Sequence, residues 1–377
     1  MIEERLINYQ NRLDIRGFSK MMNNPSYSYK FFWLEALVEV LMQGQRKVRI
    51  EEVIDNMIIK AWYPVTQYHI HLSGLVMGEA RDGLERAVYH LRDLSGLEAN
   101  ASKLDIEQAL RNYSDQLKKE KIQLIQMVPY RALSGFFSGQ EKPNWQSKKH
   151  IIAYIDALNT SKKLPYTFEG SGGLDSIINI DDEWASMIED NVVSILGWIQ
   201  FEKLKWLQNN NQEVPGLVYK LNSTDFNSRK LGSVHKLWDA ILEEETVLDV
   251  FTGKPIDKAY DLDHFIPWSF VMCDEIWNLG PMDSSLNSKK SNKLPKWERY
   301  FKAFAENQLI LYRNISKSDR MHELFKKCYK DNLHSIWAYK ELYRPGNSDQ
   351  IFVKILESNM QPIYKAAQRQ MYDIWDF

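Results

Sequence analysis

The residue pattern of this chain changes period once, and that change limits the folds open to it. Val247–Phe251 is a short β-type run, Thr252-Gly253-Lys254-Pro255 has turn chemistry, and Tyr260–Phe265 is a second extended run. On either side of Val247–Trp297 the apolar residues recur at helical spacing. Tyr29–Met42 (YKFFWLEALVEVLM) is an apolar run of helical length, with Ser26 and Ser28 as cap candidates. Lys47–Glu51 alternates like a short strand, and Ile50–Trp62 is helical again until Pro64 stops it. Ala80–Leu94 and Leu104–Leu124 are amphipathic. Asp181 or Asp182 caps a long helix through Trp184, Ile188, Ile195, Ile199 and Leu207, and Val234–Glu245 is a further one. The predicted fold is mainly α, with a small β-containing module inserted before C-terminal helices.

The best linker in the chain is Phe168–Asp175 (FEGSGGLD). It gives four expected segments: a helical recognition or regulatory domain (1–170), a helical connector (176–245), the β-containing module (246–300), and C-terminal helices packing on that module (301–377). Phe137–Lys149 and residues 212–230 are polar and predicted as loops.

Composition excludes several function classes. The net charge is −2, so any nucleic acid must be met by a local basic surface rather than by a polycation. The two cysteines, Cys273 and Cys328, make neither a zinc knuckle nor a disulfide framework, and suit a reducing interior. No stretch approaches the roughly 18 uninterrupted apolar residues of a membrane span. The charged start, MIEERLINYQNRLDIRG, lacks the apolar core of a secretory leader. A cytoplasmic protein is expected.

The segment Asp261–Pro295 (DLDHFIPWSFVMCDEIWNLGPMDSSLNSKKSNKLP) concentrates the chemistry in Asp263, His264, Asn278 and Asn287. Phosphodiester hydrolysis needs a base for water and positive charge for the phosphoryl and leaving oxygens. An imidazole titrates near neutrality and suits the first task. A hard cation on a carboxylate and an amide oxygen suits the second, because Mg²⁺ keeps several waters and needs few protein ligands. Asp263 and Asn287 can supply those two oxygens.

The order Asp-His, an Asn 14 residues after the His, and an Asn 9 further on resembles the HNH (ββα-metal) endonuclease motif in its His-Asn-Asn form. It is similar to the HNH domain of the CRISPR effector nucleases. The context DHFIPWSF…D…WNL…N..KSNKLP is also similar to bacterial HNH proteins of defence and restriction systems. The resemblance implies a β-hairpin over about Val247–His264, a loop through Trp268 and Trp277, and a helix capped near Asp283 that carries Asn287. It implies His264 as general base, Asp263 and Asn287 as ligands of Mg²⁺ or Mn²⁺, and Asn278 as the tie that aims His264. It implies phosphate contacts for Lys289, Lys290 and Lys293. Many relatives hold a structural zinc on two Cys-x-x-Cys pairs; this chain has none, so no zinc is expected. Asp263 and His264 can serve one phosphate only if the strand ends there, which Pro267 favours.

Other signals are weaker. Leu286–Lys302 holds six Lys or Arg against one Glu, a candidate phosphate surface beside the motif. Trp268 and Trp277 read as packing residues that anchor the loop. His69 and His71 lack further ligands for a metal site, and Gly170-Ser171-Gly172-Gly173 lacks the Gly-Lys-Ser/Thr of a P-loop. The expected partners are a DNA substrate and a restraining defence-system protein, or self-association. An RNA-cleaving enzyme and an inert HNH fold kept as a binding component stay open as alternatives.

Overall fold

A computed structural model describes residues 2–76, 79–137, 144, 146–221, 229–256 and 259–377. The fold is mainly α, with short strands only. Parts of the two loops expected at Phe137–Lys149 and 212–230 lie outside the described residues. Among the described residues no helix is long and apolar enough to cross a membrane. The chain divides into two units, Met1–Gln212 and Glu213–Phe377.

In the first unit, α1 (Tyr29–Met42) is buried along most of its length, including Phe31, Phe32 and Trp33. β1 (Lys47–Arg49) leads directly into α2 (Ile50–Tyr68). Pro64 does not stop α2. Val65, Thr66 and Tyr68 beyond it are buried, and the Thr66 hydroxyl donates to the Trp62 carbonyl at 2.7 Å. Packing and that bond outweigh the backbone bond that proline forfeits, and the helix ends only where His69 turns left-handed at φ 52°. α3 (Gly83–Ser95) is capped by the Asp82 side chain, and α4 is Lys118–Met127.

The FEGSGGLD stretch is no linker. β2 (Tyr166–Glu169) and β3 (Ile177–Ile180) pair antiparallel, and residues 170–176 turn between them. Gly170 and Gly172 supply φ values of 106° and 78°, which an L side chain resists, and the Gly172 amide donates to Ser176 Oγ. β3 is the central strand, because it also pairs with β1 (Val48 opposite Ile178). That sheet closes the expected boundary at 170. The long helix after Asp181 is two helices, α5 (Asp182–Asp190) and α6 (Val192–Asn210), broken at Asn191. His71 is buried with Nδ1 2.9 Å from Glu85 Oε1, an ordinary core pair.

In the second unit a helical turn at Leu217–Lys220 precedes α7 (Gly232–Glu244). Then come β4 (Tyr260–His264), a long excursion over 265–278, β5 (Leu279–Asp283) and α8 (Ser284–Lys290). β4 and β5 are antiparallel, with Asp263 opposite Gly280 and His264 opposite Leu279. The hairpin is therefore not Val247–His264. Val247–Pro255 makes a tight turn with one bridge, Leu248 to Pro255, because Asp249 curls the backbone onto itself. Asp249 Oδ1 accepts from the Phe251 and Thr252 amides and the Thr252 hydroxyl, and Oδ2 from the Asp283 amide. α9 (Trp297–Lys317) packs on β5, α10 (Asp319–Asn332) on α7 and α9, and α11 (Asp349–Arg369) on α9. Phe265 anchors the module, its ring centroid 4.6 Å from that of Phe304. Leu294–Pro295 pairs with Ile374–Trp375 in parallel.

Candidate active site

Strand alternation sorts the polar residues of β4 onto two faces. Tyr260, Leu262 and His264 are buried, whereas Asp261 and Asp263 are half-buried on the opposite side. Asp283 caps α8 through Oδ1, accepting from the Ser285 and Leu286 amides. That cap fixes the phase of the helix. Asn287 and Lys290, three residues apart on one helical face, then meet the two carboxylates.

Asn287 Nδ2 donates to Asp261 Oδ2 at 3.2 Å. Lys290 Nζ lies 3.0 Å from Asp263 Oδ1 and 2.9 Å from Oδ2, and donates to the His264 carbonyl at 2.7 Å. The expected phosphate contact for Lys290 is thus corrected: it is fully buried, a counterion to Asp263 and a clasp on the end of β4. Lys289 and Lys293 are exposed. Of the wider basic run, Lys296 and Arg299 are already paired with Asp376.

His264 occupies the last position of β4, still paired with Leu279, so the strand ends just after the Asp-His pair and the two side chains leave it on opposite faces. It is 3% exposed, and its Nε2 lies 3.1 Å from Asp274 Oδ1. Burial pulls the imidazole pKa below its ordinary value, only partly offset by Asp274, so the neutral, proton-accepting form is favoured. Burial would raise the Asp274 carboxyl, yet His264 and Arg229 hold it below the usual carboxylate range. Asn278 is fully buried; its side chain accepts from the Ile266 amide and donates to the Ile266 carbonyl, both at 2.8 Å. It fixes the chain two residues beyond His264. Trp277 is a packing residue, bonded to Glu275 and Ser335 and 5.2 Å from Trp337.

Residues 249–296 match the family of HNH endonucleases. This module is an HNH domain. No curated protein and no solved structure matches the chain. The match supports a hydrolase of the HNH nuclease type, and such nucleases act on nucleic acid and generally use a divalent metal.

The donor set of the HNH module fits a hard cation. Asp261, Asp263 and Asn287 offer carboxylate and amide oxygens from one face, the chemistry Mg²⁺ prefers. Among the described residues no three His, Cys, Asp or Glu side chains are grouped to hold an ion by themselves. Water and phosphate oxygens would complete the shell, as is usual for Mg²⁺. Two acidic residues of the site escaped sequence reasoning. Asp261 was legible as the i−2 neighbour of Asp263 on an extended run. Asp274 lies ten residues beyond His264 in an irregular loop, where spacing carries no facing information.

Proposed function

We propose that this chain is a divalent-metal-dependent DNA endonuclease acting through the HNH module. One observation supports this above the others: Asp261 and Asp263 share one face of β4, and Asn287 donates to Asp261 beside the strand end that carries His264. His264 takes a proton from the attacking water, and the hydroxide attacks the phosphorus in line. Asp263 and Asn287, with Asp261 beside them, hold Mg²⁺ or Mn²⁺, which when bound neutralises the phosphoryl and leaving 3′ oxygens. The products are 5′-phosphate and 3′-hydroxyl ends. Asn278 keeps the loop after His264 in place, and Lys289 and Lys293 meet flanking phosphates.

The biological setting we propose is a bacterial anti-phage or restriction system in the cytoplasm, on the strength of the DHFIPWSF…WNL…KSNKLP context. A free nuclease would harm its host, so a partner, a ligand or self-association acting on the first unit restrains it. The test is to incubate the full chain with supercoiled plasmid and, separately, with single-stranded RNA, in Mg²⁺ or in excess EDTA. Plasmid cleavage in Mg²⁺ alone supports the proposal. RNA cleavage alone moves the substrate to RNA, and equal cleavage in EDTA overturns the metal-dependent mechanism.

A further inference from the structure

Asp274, which pairs with His264, lies outside the Asp-His-Asn-Asn pattern and is held by residues that flank the matched segment. Nε2 and Oδ1 are 3.1 Å apart. Both atoms are buried, and neither has an aligned hydrogen-bond partner. Two orphaned, complementary atoms in contact are a pair that tightens on a small ring rotation, a common feature of catalytic dyads before substrate binds.

Asp274 is itself held from three sides. Its Oδ2 accepts from the Lys230 amide at 3.3 Å. Its carbonyl accepts from Asn332 Nδ2 at 2.9 Å, and the same amide group donates to the Lys230 carbonyl at 3.0 Å. Asn332 is the buried last residue of α10. The Arg229 guanidinium lies 4.9 Å above the Trp268 ring and adds positive charge near the carboxylate.

Resting on the nuclease reading above, we propose that Asp274 is a positioning residue. It holds the proton of His264 on Nε2 and leaves Nδ1 as the nitrogen that receives the proton of the attacking water. In that step a water O–H bond breaks and an Nδ1–H bond forms. The Nε2 proton stays where it is, and Asp274 stabilises the resulting imidazolium without becoming protonated. The flanking residues Arg229, Lys230 and Asn332 thereby act on the chemistry through the orientation of one ring.

The test uses the full chain, wild type and Asp274→Asn. An asparagine can turn its NH₂ toward Nε2 and so favours the opposite tautomer. Histidine ¹⁵N NMR of the metal-free protein, at about pH 8 where the ring is neutral, with His264 assigned through His264→Ala, reads the tautomer without activity. Expected are an Nε2-protonated ring in the wild type, a shift of the proton to Nδ1 in Asp274→Asn, and a kcat lower by about 10²-fold or more with KM nearly unchanged. An Nδ1-protonated ring in the wild type overturns the proposal. So does an Asp274→Asn protein that keeps both tautomer and kcat. If Asp274→Asn does not fold, the wild-type spectrum alone decides. Failure of the nuclease reading has a different signature, no metal-dependent cleavage by the wild type, and leaves the spectrum to report on the pair.

Discussion

Asn278 and Ile266 form a closed pair: the Asn278 amide satisfies both backbone groups of Ile266, each at 2.8 Å, in a fully buried setting. Truncating it orphans a buried N–H and a buried C=O at once. Each costs about 1–3 kcal/mol, so Asn278→Ala is expected to destabilise the second unit by about 2–6 kcal/mol and to cut cleavage by misplacing His264. A urea unfolding curve checks the first effect. A midpoint unchanged from wild type would mean that the clamp contributes nothing.

Lys290 and Asp263 make a second testable pair. Removing one partner of a buried ion pair costs about 3–5 kcal/mol, so metal-free Lys290→Met is expected to be less stable. The same change removes a positive charge 2.9 Å from a proposed ligand. Mn²⁺ is therefore expected to bind about tenfold or more tightly to the variant, because like charge no longer opposes it. Isothermal titration measures this, and equal or weaker binding would count against Asp263 as a ligand.

Lys289 and Lys293 are exposed where α8 ends. Replacing both with Ala is expected to weaken nucleic-acid binding across sequences and to flatten the dependence of log K on log salt by about 0.9 per lost phosphate contact. A fluorescence titration at several salt concentrations reads the slope. An unaltered slope would place the phosphate surface elsewhere.

The first unit carries its own pH dependence. Glu35 is buried, with Oε2 2.6 Å from Lys203 Nζ and Oε1 3.4 Å from Lys60 Nζ. Burial alone would raise its pKa, but the two ammonium groups hold it below the ordinary value of 4.5. A depressed folded-state pKa contributes stability that is complete above 4.5 and lost as pH falls through the folded value. Glu35→Gln is expected to remove that acid-sensitive part and to lower stability at neutral pH, where it leaves Lys203 buried without its carboxylate. Denaturant midpoints from about pH 7 to pH 3 test this; parallel acid limbs in both proteins would refute it.

Several features were legible because they depend on local spacing. Asp283 caps α8 as its position before the final Asn requires, and the 260–265 alternation did mark β4. Its partner was hidden. β5 reads LGPMD, whose Gly and Pro argue against a strand, yet Pro281 lies on a two-stranded ribbon where one donor can be spared. The run Val247–Phe251 carries the stronger β signal, because nothing local reveals that Asp249 draws its donors inward. Glycines at 170 and 172 signal flexibility and left-handed turns alike, and only pairing with β1 distinguishes them. Lys290 sits among five other basic residues, and sequence does not tell which one points inward.

The most direct measurement is cleavage of supercoiled plasmid by the full chain and by His264→Ala, each in Mg²⁺, Mn²⁺ and EDTA, with circular dichroism confirming that both are folded. Metal-dependent nicking or linearisation by the wild type, abolished in the folded variant, is the expected result. Undiminished metal-dependent cleavage by folded His264→Ala would contradict the assignment of the base and, with it, the proposed mechanism.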